Sequence, residues 1–525
     1  MLFCPFELLS TEIKTNACLS CHPYPASDFS PLHGFAYASC AICHAGEEQA
    51  TELPQAHAGL IARPGDLNKD RSICANCHPR QTGNVLNSLM NTGKGLVKKT
   101  RQALGEQAHP QIHAGLESLG DSPADSMLRK LCASCHLAHA AAKPAADVTL
   151  ARGGGCSACH INQRAQGRHP RLSAKVEDGR CFGCHSRSGR ISLNYVGLAE
   201  AEADSRQDPA GLMQLPDGRT VAKLTNDIHH QAGMSCIDCH TSTGIMGGAD
   251  NSGFKQQAVD ISCSDCHSAA TKRTDRNNWP EAYAQMQRYL DQSADRMVPL
   301  TQRHGTPLWH IEIQPDGSRL LHPKLGGAAL PIPDYKGDAP PHAGEHARLA
   351  CSACHSQWAP QCYGCHSEYD PAGRQWDHLK QRETAGRWRE TRWDVRAELP
   401  ALGVDGHNLI RPVTPGMIMR IEHPDLDGPL FRRLFAISEP HTTGPARSCD
   451  SCHRSSQALS LGNGRLHKTN GKWTFQPAKK NLADGLPADA WTSLDGKLQG
   501  AATDGESRPF NQDEMVRILN ADISR

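Results

Sequence analysis

The chain has 525 residues, 38% of them hydrophobic but only 5% aromatic, and 56 basic side chains stand against 55 acidic ones. So even a balance excludes a nucleic-acid surface, and no apolar run approaches the roughly 18 residues of a transmembrane helix. The length suits two to four domains, but with so few aromatics the core needs apolar surface from another source.

The first ten residues lack the basic stretch and apolar run of an export signal. Cys4 follows Phe3, where a lipidated cysteine wants a small residue. From Cys18 onward one pentapeptide, Cys-x-x-Cys-His, recurs eleven times and takes up all the other cysteines. The copies are Cys18, Cys21 and His22; Cys40, Cys43 and His44; Cys74, Cys77 and His78; Cys132, Cys135 and His136; Cys156, Cys159 and His160; Cys181, Cys184 and His185; Cys236, Cys239 and His240; Cys263, Cys266 and His267; Cys351, Cys354 and His355; Cys362, Cys365 and His366; and Cys449, Cys452 and His453.

The spacing divides the chain. Residues 1–185 are dense with six motifs, and residues 186–267 form a spacer followed by two more. The spacer is expected to hold a helical stretch over Leu198–Asp204 and a turn at Leu215-Pro-Asp-Gly218. Residues 268–350 have no motif. There Glu281–Met297 has helical spacing, and Leu308–Ile313 and Ser318–Leu321 read as a hairpin turning on Pro315-Asp-Gly317. Residues 351–453 hold the last three motifs, two of them on so short a tether that they must be neighbours. Four tryptophans (358, 376, 388, 393) lie in the same region. Residues 454–525 lack a motif but carry a hairpin over Arg465–Phe475 on Asn470-Gly471 and a helix near Gln512–Leu519. Lys94, Lys98, Lys99 and Arg101 form a basic cluster, expected on a solvated loop, with a partner-docking patch as the alternative.

Cys-x-x-Cys-His is the attachment signal of c-type haem: two thioethers hold the porphyrin and the histidine ligates the iron. Zinc sites and thioredoxin pairs also use Cys-x-x-Cys, but neither needs a histidine after every copy. Eleven covalent haems are therefore expected. The fold class that follows is a multihaem cytochrome c of mainly short α-helices and irregular loops wrapped around haems, with minor β-hairpins. The chain without haem is expected to lack the buried surface to fold.

Of 29 histidines, eleven are proximal, leaving enough for a second histidine on every iron. Such ligation closes the metal to substrate and gives a lower potential than His/Met ligation. The candidate distal ligands are His33, His57, His113, His139, His169, His229, His230, His342, His346, His378 and His441. His57 and His113 lie in a repeated Pro-Gln-x-His-Ala-Gly-Leu, and His139 stands one helical turn beyond His136, where it would face away from its own haem toward a neighbour's. No motif ends in lysine, which counts against a nitrite-reductase-like centre.

The segments Asp227–His240, Trp358–His366 and Pro440–His453, with Arg508-Pro-Phe-Asn-Gln-Asp-Glu-Met515, resemble blocks in large multihaem c-type cytochromes of extracellular electron transfer and selenite/tellurite respiration gene clusters. The likeness spans roughly residues 220–525. It implies a respiratory role at the envelope of a Gram-negative bacterium, in the periplasm, at the outer membrane or outside the cell. Covalent haem attachment takes place outside the cytoplasm, so the protein is expected to be exported. The expected function is electron conduction, and the chain reads as carrier rather than catalyst. The alternatives are a terminal oxyanion reductase with one open haem and the subunit of a cytochrome filament. Expected partners are redox proteins, an outer-membrane porin, other cytochromes or further copies of the chain.

Overall fold

A computed structural model describes residues 16–67, 73–106, 115–139, 147–162, 168–187, 191–202, 211–248, 258–268, 270–275, 278, 297–335 and 344–523. The expected helix over Glu281–Met297, Cys4, His113 and His342 lie wholly or almost wholly outside these residues.

The first half is built as its composition suggests. Its helices run from three to ten residues, the longest being Lys94–Ala103. That helix carries the basic cluster, which is therefore not on a loop. Arg101 is held by Asp125 at 2.7 Å. Leu198–Glu200 is likewise a strand rather than a helix, the edge of a three-stranded sheet with Thr220–Lys223 and Leu212–Gln214. The Leu215–Gly218 turn joins the latter two, closed by Gly218 N–H donating to Leu215 O.

The second half overturns the expected fold class. Helix and strand share the described residues nearly equally, at 29% and 26%, and the largest sheet among them is six-stranded and mixed. Its longest strands, Ala359–Asp377 and Arg382–Glu398, form one antiparallel hairpin. Ile410–Glu422 pairs in parallel with the first of these over Cys365–Glu368 and antiparallel with Leu430–Ile437. The strand-forming signal is a period-two alternation: Gly386 and Trp388 are buried between exposed Ala385, Arg387 and Arg389. Opposite charges face across the ladder at Asp370/Arg387 and Glu368/Arg389, and Trp388 stands beside Tyr369.

One face of the sheet buries Trp388, Met419 and Ile421 against Leu104 and Met127 of the first half. Another cluster joins Val413, Phe435 and Ile437 to Trp491, whose ring stacks on Phe435 at 5.0 Å. The expected small hairpins form at Ile311–Ile313 with Arg319–Leu321 and at Gly464–Thr469 with Lys472–Pro477. The second turns on Asn470 and Gly471, both at positive φ as a type I′ turn requires. The terminal helix Gln512–Asn520 starts with a capping box between Asn511 and Glu514. Among the described residues no helix is long and apolar enough to cross a membrane.

Candidate functional site

Ten of the eleven pentapeptides sit on helical turns of α, 3-10 or π type. Such a turn puts both thiols and the following histidine on one side of the backbone. Local sequence favours it: Ser235 and Ser262 each precede a motif whose third residue is an aspartate, and both pairs close capping boxes.

The histidines meet in twos. His22 faces His57 with ring centroids 6.3 Å apart, His78 faces His33 at 6.2 Å, and His44 faces His169 at 6.3 Å. His267 faces His229 at 6.2 Å, His240 faces His441 at 6.3 Å, and His453 faces His346 at 6.0 Å. Each pair joins one motif histidine to one predicted distal candidate. Two imidazoles bound to one metal through nitrogens at about 2 Å have centroids about 6 Å apart. The separations are too long for ring stacking contact and suit a metal between the rings.

The ring nitrogens are prepared for that use. Nδ1 of His44 bonds Ile61 O at 2.8 Å, His169 bonds Pro170 O at 2.8 Å, His267 bonds Pro333 O at 2.8 Å and His453 bonds Ile518 O at 2.7 Å. A carbonyl only accepts, so Nδ1 carries the proton and Nε2 keeps its lone pair for a metal. His441 has the same bond to Glu439 O, and His160 and His355 are tied to Ser173 O and Gly444 O. Burial pushes the His240 ring down to about 4 and holds His33, His169, His185 and His267 below the ordinary histidine range. Neutral imidazole is the ligating form.

Three carboxylates that sequence reading missed hold these histidines or the motif turns in place. Asp28, fully buried, grips Arg168 with both oxygens and accepts the backbone N–H of His169. Asp227 accepts Nδ1–H of His229 at 2.9 Å through one oxygen and Thr443 N–H at 2.6 Å through the other, so one buried side chain ties His229 to the loop carrying His441. Burial works to raise its carboxyl, and the bonds from His229 and Thr443 outweigh it, leaving it below the usual range. Asp178 accepts Cys236 N–H at 2.8 Å. The signal for Asp227 was readable: an aspartate before Ile-His-His is an N-cap.

The remaining candidates differ. His139 does not point away from His136; the rings meet edge to face at 4.6 Å, and both Nε2 atoms are buried without a hydrogen-bond partner. His230 bonds Asn226 and lies edge-on to Tyr195. His378 sits at the tip of the long hairpin, its N–H donating to Arg129 O. Among the described residues no group of three or more His, Cys, Asp or Glu converges on one point as a metal site.

The motif Cys362–His366 does not fit. It lies within the strand Ala359–Asp377, where residues three apart point to opposite faces. Cys365 is packed against Trp388 and Met419 in the core, and burial pushes its thiol up to about 12. Trp393 covers Gly364 so closely that a Cβ there would clash with the indole. His366 Nε2 lies 3.1 Å from Glu422 Oε1. The two thiols cannot meet one porphyrin without the ladder opening, so the short tether to Cys351–His355 does not by itself make a haem pair.

No protein-family model, curated protein or solved structure matches the chain.

Proposed function

We propose that the chain is an exported multihaem c-type cytochrome that relays electrons between redox partners at the cell envelope. The observation that carries this reading is the set of six histidine pairs spaced at 6.0–6.3 Å, each containing one Cys-x-x-Cys-His histidine. When bound, haem supplies a one-electron iron couple. Cysteines of the ten helical motifs would anchor it. The paired histidines would close both axial positions, which favours relay over substrate reduction. Carbonyls on Nδ1 and the Asp227 carboxylate fix the rings' tautomer and basicity. The resemblance of residues 220–525 to extracellular-electron-transfer cytochromes supports the same role.

Two measurements test it. Haem staining of the purified chain on a denaturing gel reports covalent attachment, and unstained protein refutes the proposal. Low-temperature electron paramagnetic resonance of the oxidised protein is expected to show low-spin iron with bis-histidine signatures. A stoichiometric high-spin signal that shifts with added selenite, nitrite or sulfite would transfer the assignment to a terminal reductase.

A further inference from the structure

The motifs touch in an order that is not their order in the sequence. Asn16 Nδ2 donates to Cys40 Sγ at 3.2 Å and its Oδ1 accepts Cys18 N–H at 3.1 Å, so the first motif meets the second. Cys43 of the second lies within electrostatic reach of Cys74 and Cys77 of the third. From there contact passes to the fifth motif. The thiols of Cys74 and Cys156 lie against each other, and one loop serves both, Pro64 O accepting from Cys74 Sγ and Gly65 O from Cys156 N–H. Cys159 of the fifth lies within electrostatic reach of Cys181 of the sixth, the helical turns of the two motifs packing together.

Cys181 lies against Cys236 of the seventh motif, and Asp178, on the turn before Cys181, accepts Cys236 N–H. Cys239 of the seventh is within reach of Cys266 of the eighth. Cys263 of the eighth lies against Cys351 of the ninth. Arg447 joins the ninth to the last helical motif, its N–H bonding Cys354 O at 2.9 Å and its guanidinium bonding Ser451 O at 2.9 Å.

The thiols of the fourth motif, Cys132–His136, are absent from this line, although Gly155 N–H beside the fifth motif donates to Leu137 O at 2.9 Å. Its Cys135 lies against Cys184, the other thiol of the sixth motif. Arg152 bridges the same two, Nε to Gly183 O and Nη1 to Ser134 Oγ. The Cys181–His185 turn therefore has three neighbours: the fifth and seventh motifs through or beside Cys181, and the fourth through Cys184.

We infer that the sixth motif, Cys181–His185, is a three-way junction of the haem chain, with the fourth motif a side arm off a main line that runs from Cys18–His22 to Cys449–His453. This rests on the cytochrome reading. Each thioether lies at the rim of its macrocycle, so touching cysteines from different motifs bring two rims together. The chain then has three ends rather than two. The side arm points toward the large sheet, where Cys132 and Cys365 both lie within reach of Glu390.

Electron cryo-microscopy of the haem-loaded protein gives the iron positions. The iron on His78 is expected to have that on His160 as its next neighbour along the line, and the iron on His136 to have that on His185 as its nearest. An order following the sequence, with the His136 iron between those of His78 and His160, overturns the junction while leaving a cytochrome in hand. A protein without covalent haem overturns the cytochrome reading instead. Function gives a second readout. With a photoreductant fixed near Cys18, Cys132→Ser/Cys135→Ser is expected to retain electron arrival at the Cys449–His453 haem, and Cys156→Ser/Cys159→Ser to lose it. Equal loss in both, with the other haems still attached by staining and mass, refutes the side arm.

Discussion

His441 faces His240 with ring planes 10° from parallel and centroids 6.3 Å apart, although much of the chain separates them. His441 lies eight residues before Cys449, yet its partner belongs to the seventh motif. Asn194 Nδ2 donates to Pro440 O at 2.9 Å, and Asp227 holds Thr443, so the loop is fixed on both sides of His441. Replacing His441 with methionine puts a thioether in place of an imidazole and is expected to raise the potential of one haem, within the roughly 0.8 V span that axial ligands command. A spectroelectrochemical titration should show one component moving positive and the others unmoved.

Asp227→Asn tests the carboxylate behind His229. The amide keeps the shape but removes the charge that raises the basicity of that imidazole. The potential of the haem on His267 and His229 is expected to rise, and the His229–Thr443 tie to weaken by roughly 1–3 kcal/mol. Thermal unfolding and redox titration of one sample separate the two effects. An unchanged potential with lowered stability would make Asp227 a purely structural group.

Glu514 gives the terminal helix an acid limit. Burial would raise its carboxyl, but Arg508, the Asn511 N–H and Arg348 outweigh that and pull it down to about 2. Folded, it binds its proton less readily than when unfolded. Its contribution is therefore complete above about pH 4.5 and lost as pH falls through about 2, amounting to about 3 kcal/mol. His453 bonds Ile518 O on the same helix. Acid titration should loosen the helix and disturb the His453 haem spectrum together, and Glu514→Gln should bring that disturbance to neutral pH.

The unloaded chain is expected to fold in part, which narrows the expectation of wholesale unfolding. Residues 16–67 bury only Ala36 and Leu67 among their apolar side chains, whereas the sheet region buries Phe435, Trp491, Val413, Ile421, Leu459 and Leu461 without help. Limited proteolysis of chain made without haem attachment should degrade the first part and spare a core from about residue 350 onward. Uniform digestion would contradict this.

The sequence disclosed the motifs because the pentapeptide is local chemistry. It also pointed to six histidines that each face a motif histidine across the fold, since few other roles needed so many histidines. It concealed their pairing. His33 precedes Cys40 but meets His78, and His346 precedes Cys351 but meets His453. Proximity along a chain says little about facing across a fold. The large sheet went unread for a different reason. The alternation around Trp388 was legible, but tryptophans beside two haem motifs read as haem packing, and Ile410–Glu422 pairs in parallel with the neighbouring strand Ala359–Asp377, which no turn announces.

The crossed pairing of the rings also sets a timetable. In the proposed export, starting from the N-terminus, His22 and His57 would emerge early, whereas His44 would wait for His169 and His240 for His441. Until the late segments arrive, the early motifs offer only half of their grip. The order of emergence thus decides which sites are finished first and which stay vulnerable, and a truncation near the C-terminus would leave damage far upstream of the cut.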